Sequence, residues 1–270
     1  MATPARYTVI TPYYREDRTL LERCIRSVHG QSVKADHILI ADGYPQAWID
    51  NESVRHLKLD RPHNDFGNTP RGIGALLAVA EEYDGICLLD ADNWFDADHV
   101  EVCLESAART NGGVEQCDYI IARRTFRRPD ETIMPITEAR EHVDTSCLFF
   151  LRGSFAVISR WATMPKAMSP ICDRFFFRML RTLPFRHVMT PKPTVNYHCT
   201  WQALYLALNE TPPEGAKPNV DSGIIQTWLD SLTVREWEIA CRLSGLNLTR
   251  SPLVHRPGSP GLACPADRAV

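Results

Sequence analysis

The chain is predicted to be an α/β protein with a mostly parallel sheet flanked by helices and a C-terminal helical appendage. Two observations carry the prediction. Across the first two thirds of the 270 residues, short β-rich runs alternate with stretches whose apolar residues recur at helical spacing, and such βαβαβ alternation builds a parallel sheet with helices on its faces. Thr11, Asp42 and Asp90 also fall at the ends of three such runs, and open parallel sheets bind ligands at the carboxyl ends of their strands.

Tyr7-Thr8-Val9-Ile10-Thr11-Pro12 is a β-rich run ended by proline, after which Leu20, Leu21, Cys24, Ile25 and Val28 keep helical spacing until Gly30. His37-Ile38-Leu39-Ile40-Ala41 is the second strand, closed by the turn signal Asp42-Gly43, and a third short run lies at His56-Leu57-Lys58-Leu59. From Arg71 to Tyr83, Ile73, Leu76, Leu77 and Ala80 share one face, which predicts a helix delivering the chain to the strand Gly85-Ile86-Cys87-Leu88-Leu89. Asp98, with Glu101 three residues on, predicts a capping box opening a helix through Arg109.

The second part is less regular. Tyr119-Ile120-Ile121-Ala122 reads as a strand running into Arg123, Arg124, Arg127 and Arg128, and Cys147-Leu148-Phe149-Phe150-Leu151 is a further apolar run. Ser169-Pro170 predicts an N-cap with proline at the first helical position, with Ile171, Phe175, Met179 and Leu180 on one face. Further helices are predicted from Ile224 to Ser231 and from Thr233, boxed by Glu236, to Leu243, where Gly245 ends the pattern. From Ser251 the chain is rich in proline and glycine and lacks periodicity, which predicts a disordered tail over 251–270.

Hydrophobic residues make up 44% and charged residues 23%, as in ordinary globular proteins, and the formal net charge of −3 argues against general nucleic-acid binding. No apolar run is long enough to span a bilayer and no leader precedes Tyr7, so a cytoplasmic protein is expected, with peripheral membrane contact left open. The nine cysteines include no pair at C-x-x-C spacing and read as reduced core thiols.

Asp90-Ala91-Asp92 carries the chemistry. It stands at the exit of a strand-like run, where alternate side chains face one spot. Two carboxylates in an open arrangement suit Mn2+ or Mg2+, which keep several waters and bind substrate phosphates. Two turn-forming aspartates ending a strand would look the same.

Together, Tyr7 to Pro12, the strand ending at Asp42, the strand into Asp90-Ala91-Asp92, Asp173 at a helix start, and His198 after Thr194-Val195-Asn196-Tyr197 resemble the nucleotide-sugar-dependent glycosyltransferases of the GT-A fold, particularly family 2. The likeness covers about residues 6–200 and rests on the order and spacing of the parts. It implies one Rossmann-like domain over 1–200, with a nucleotide-sugar half at about 1–118 and an acceptor half at about 119–200, followed by helices over 201–250. The implied reaction is metal-dependent, inverting transfer from a nucleoside diphosphate sugar, UDP first among them, to an acceptor hydroxyl on a glycan, a lipid-linked group or another carrier.

Residue by residue, the resemblance places Thr11, Pro12, Tyr13 and Asp42 at the nucleoside, with Asp42 as hydrogen-bond acceptor and Tyr13 as a stacking surface. It places Arg71 beside the diphosphate. Asp92 becomes the direct metal ligand, Asp90 a contact to ribose or to metal through water, with Ala91 between them, and His198 a further metal ligand. Asp173 is the candidate general base and Asp144 its rival or a sugar ligand. The family often shows two consecutive acids where this chain has Cys172-Asp173-Arg174. The arginines at 123, 124, 127 and 128 read as a solvated face, or as a site for an acceptor phosphate should they converge on the cleft. A nucleotidyltransferase is disfavoured because no glycine-rich loop follows the first strand, and a non-catalytic binding or scaffold module is the remaining alternative.

Overall fold

A computed structural model describes residues 4–110, 112–136 and 143–250; His142 and the predicted tail from Ser251 lie outside them. Strand β1 (Tyr7–Tyr13) leads through helix α1 (Arg18–His29) to β2 (Asp36–Ala41) and β3 (Arg55–Lys58), and helix α2 (Asn68–Ala80) leads to β4 (Gly85–Leu88). Then follow β5 (Trp94–Phe95), α3 (His99–Ala108), β6 (Tyr119–Arg127), β7 (Leu148–Leu151), the short α4 (Phe155–Ile158) and α5 (Arg160–Thr163), and α6 (Cys172–Thr182). Strand β8 (His187–His198) and helices α7 (Gln202–Ala207), α8 (Ser222–Ser231) and α9 (Val234–Ser244) complete the described chain.

The strands form one sheet in the order β3-β2-β1-β4-β7-β6-β8-β5. Parallel pairing joins β3, β2, β1 and β4, and also β6 to β8; β7 is antiparallel to both its neighbours and β5 is antiparallel to β8. All strands but β7 and β5 therefore point the same way. The reversal matters for function. Cys87 pairs with Phe149 and Gly85 with Leu151, so the residues that enter β7 lie beside those that leave β4.

Val9, Ile10, Ile38, Leu39, Ile40, Ile86 and Leu88 are fully buried, as central strands covered on both faces require. Helix α1 seats Leu21, Cys24, Ile25 and Val28 on the sheet, each side chain stabilising the fold by about 1.5–3 kcal/mol as an upper estimate. Helix α2 approaches α5 so closely that a Cβ on Gly72 would lie 2.5 Å from Ala162. The C-terminal helices share the main core through Ile225, Leu229 and Ala240. The described cysteines are thiols, buried except for the half-buried Cys241. No helix among the described residues is long and apolar enough to cross a membrane.

Several boundaries differ from expectation for local reasons. Helix α2 starts at Asn68 and not Arg71, because Asp65 accepts from both Thr69 N–H and Thr69 Oγ1, and Pro70 in the first turn forfeits no helical hydrogen bond. The box predicted at Asp98 does not form: Asp98 binds Lys192 and Glu101 accepts from Ser32. Ser169 does not cap α6, which begins at Cys172 after a 3-10 turn over Lys166–Ile171 and buries Cys172, Phe176, Phe177, Met179 and Leu180. The Thr233–Glu236 box does form, and Gly245 (φ 71°) ends α9 in the left-handed region.

Candidate active site

The reversed β7 dictates where the cleft lies. Its entry segment stands beside the Asp90–Asn93 turn, and Ser146 fastens the two together. The Ser146 hydroxyl accepts from Asp90 N–H (3.1 Å) and from Asn93 Nδ2 (2.8 Å), while Ser146 N–H donates to Asp144 Oδ1 (3.0 Å). Asn93 Oδ1 in turn accepts from His198 N–H at the exit of β8 (2.9 Å). Three strand termini are thus tied at one point, beside a cavity of about 460 Å³ whose walls include Asp90, Asp92, Asp144 and Asp173.

Each carboxylate has its own support. Asp90 accepts from Arg71 Nη2 at 2.6 Å. Arg71 is buried, held by Asn68 Oδ1 (3.2 Å) and set over the Trp161 ring. Asp144 is buried 3.6 Å from Arg124, whose guanidinium lies 4.5 Å from the Phe126 ring centre and 4.8 Å from that of Tyr197. Burial pushes the Asp144 carboxyl up to about 6; Arg124 pulls it down, whereas Asp90 and Asp173 push it further up. Asp173, in the first turn of α6, accepts from Arg174 N–H.

Asp92 keeps 26% of its side-chain exposure and lies 3.7 Å from Lys217 Nζ. Desolvation by the cleft walls pushes its carboxyl up to about 7 against the pull of Lys217. Arg23 fixes its backbone by donating to Asp92 O at 2.8 Å.

Where the resemblance expects the nucleoside, the structure brings Asp42 to the expected strand exit but occupies its carboxylate. Both oxygens accept from His63 N–H, and Oδ1 also meets His63 Nδ1 at 2.6 Å. Thr11 and Pro12 are buried; the Thr11 hydroxyl is paired with His37 Nε2 (2.9 Å), away from the cleft. Tyr13 offers no stacking surface, because its ring is buried and its hydroxyl is shared between His56 and Gln46 N–H. The half-exposed rings here are Tyr14 and Tyr44, 4.7 Å apart edge to face, with the Arg15 guanidinium 3.9 Å over Tyr44.

The donor set suits a hard divalent ion only in part. Asp92 with Asp90 supplies oxygen ligands of the kind that hold such an ion jointly with substrate phosphates. Among the described residues, however, no three His, Cys, Asp or Glu side chains gather as a metal site, so His198 does not join the two aspartates. Its Nδ1 is buried without a hydrogen-bond partner, and burial lowers its basicity.

Of the arginine cluster, Arg124 alone lines the cavity; Arg127 donates to Asn196 and Arg128 pairs with Glu210. Alternation along β6 could have singled it out, since Arg124 and Phe126 are buried while Arg123 points to solvent. Lys217, Trp201 and Tyr197 also line the cavity. No periodicity or motif marks Lys217 in the sequence.

Two outcomes are expected. Ser146→Ala strands the Asn93 amide and Asp90 N–H, so it should lower stability by about 1–3 kcal/mol in urea unfolding; an unchanged midpoint contradicts the clasp. Between pH ~4, the ordinary value, and about 6, folded Asp144 holds a proton that the unfolded chain has lost. Stability should therefore fall as pH rises through this window. Asp144→Asn should remove up to about 3 kcal/mol of that fall, whereas parallel pH curves for the two proteins would contradict it.

Residues 8–163, more than half of the chain, match the sequence profile of Glycosyl transferase family 2. Over 112 residues the chain is 29% identical to the succinoglycan biosynthesis protein ExoW of Rhizobium meliloti (strain 1021), a match covering 39% of this chain and 35% of that relative. Among solved structures, the fold is shared with S. aureus TarS. The TarS 1–349 complex with UDP aligns at TM-score 0.53 and 12% identity, covering 88% of this chain and 70% of the other. The complex with UDP-GlcNAc aligns at 0.52 and 11%, covering 88% and 79%. With the profile match spanning the strands that carry Asp42, Asp90 and Asp92, the chain belongs to glycosyl transferase family 2.

Proposed function

We propose that this protein transfers a sugar from a nucleoside diphosphate sugar, UDP-linked, to an acceptor hydroxyl with inversion at the anomeric carbon. One observation carries the reading: Arg71, Asp90, Asp92, Asp144 and Asp173 line a single cavity at the carboxyl ends of the sheet's strands. Family membership supports the reaction class. The TarS complexes with UDP and UDP-GlcNAc support the donor, and the name of the ExoW relative supports a glycan acceptor.

The donor's diphosphate would lie along Arg71 and the Asp90–Asp92 turn, with its base toward Asp42, Tyr14 and Tyr44. Asp42 accepts hydrogen bonds only, and a base N–H or ribose hydroxyl would share it with His63. Mn2+ or Mg2+ would be held by Asp92, with Asp90 reaching it through water, and supplies Lewis-acid neutralisation of the diphosphate. The acceptor would meet the opposite wall, where Phe126, Trp201 and Leu204 offer an apolar face to a sugar ring.

In the reaction, the acceptor oxygen bonds to the anomeric carbon as the bond from that carbon to the diphosphate oxygen breaks, and its electron pair leaves with the nucleoside diphosphate. The hydroxyl proton passes to Asp173. Asp144 is the less available base, because Arg124 and Ser146 N–H already engage its two oxygens; its role is to hold the sugar and Arg124 in place.

Removing the base should strike turnover and spare binding. Asp173→Asn is expected to bind UDP as the unaltered protein does while transferring sugar about 10²–10⁴-fold more slowly, with Asp144→Asn the milder change. Nuclear magnetic resonance of the product should show the inverted anomer. Near-normal turnover by Asp173→Asn, with a retained anomer, would contradict the assignment of the base and the mechanism.

A further inference from the structure

Lys217 lies beyond the residues matched to the family, in the stretch between α7 and α8. Its backbone is nonetheless fixed: Lys217 N–H donates to Thr200 O (2.7 Å) and Gln202 N–H donates to Lys217 O (3.0 Å), forming a parallel bridge with Trp201 just past β8. From that anchor the side chain reaches into the cavity wall, with Nζ 3.7 Å from Asp92 Oδ2 and 5.7 Å from the centre of the Trp201 ring. The side chain is 52% exposed. A pinned backbone carrying a compact charge on a flexible four-carbon stem can move that charge by several ångströms without disturbing the fold.

The charges around the cavity show where it would go. Arg71 is buried on Asp90 and Arg124 is buried beside Asp144, so both are fixed in place and cannot travel. Arg174 is exposed beside Asp173. Lys217 rests on Asp92, the carboxylate assigned above to the metal ion. An ammonium and a divalent ion repel each other on a shared carboxylate, whereas a diphosphate between them attracts both.

Resting on the donor reading above, we propose that Lys217 is a diphosphate-binding residue. It holds Asp92 while the cleft is empty, yields that carboxylate to the metal ion, and turns onto the donor's diphosphate. There it stabilises the charge that the leaving nucleoside diphosphate takes with the electron pair of the broken anomeric bond. Lys217 and the metal ion are thus rivals in the empty protein and partners in the filled one, which makes metal and donor bind with positive coupling.

Calorimetry with the full chain tests this, using UDP in chelator, UDP in saturating Mn2+, and Mn2+ alone. Lys217→Met should weaken UDP binding by about tenfold or more in both buffers, the scale of a lost charge-assisted contact. It should tighten Mn2+ binding in the absence of UDP. Lys217→Arg should retain most of the UDP affinity, and unchanged melting temperatures would show that both variants fold. If the unaltered protein binds UDP and Lys217→Met binds it equally well, or if Lys217→Met binds Mn2+ more weakly, the assignment of Lys217 is overturned while the donor reading stands. Failure of the unaltered protein to bind UDP in either buffer would overturn the donor reading and this proposal with it.

Discussion

The Ser146 hydroxyl, accepting from Asp90 N–H and the Asn93 amide, is the contact on which the cleft depends. Parallel strands alone would leave the β4 exit far from the later acids. Reversing β7 brings its entry segment alongside, and Ser146 locks the two, with its own N–H on Asp144. Asn93 extends the tie to His198 N–H at the end of β8. A buried serine hydroxyl and a buried asparagine therefore set the spacing of Asp90, Asp92 and Asp144, all of which would separate if left to repulsion.

That repulsion is large because the acids are partly or wholly desolvated. Arg71 offsets Asp90, Arg124 offsets Asp144 and Lys217 offsets Asp92, yet burial still holds the carboxyls of Asp92 and Asp144 above the ordinary aspartate range. The cleft is thus a strained electrostatic arrangement, of the kind that costs a fold stability where it serves function. Under the function proposed, a cation with a diphosphate would complete it. The cations differ in kind: the two arginines are buried and fixed, the lysine is half exposed and movable.

The strands β1, β2 and β4 and the capping box at Thr233 were legible in the sequence because each is written locally, as an apolar run or as a pair of residues three apart. The direction of β7 is not, since pairing is a tertiary choice. The burial of Tyr13 was hidden for a related reason. Strand β1 continues past Pro12 through Tyr13 and buries it, whereas Tyr14 follows the strand and is half exposed. Asp98 and Glu101 found partners in Lys192 and Ser32, distant residues whose approach no local pattern announces. Lys217 was invisible for the same reason: its place depends on a bridge to Trp201 after the last strand.

A crystal structure of the protein with UDP and Mn2+ tests the central claim most directly. The account predicts the diphosphate between Arg71 and Asp92, with the uridine at Asp42, Tyr14 and Tyr44. UDP seated away from the Asp90–Asp92 turn, with the ends of β1, β2 and β4 left unchanged, would contradict it.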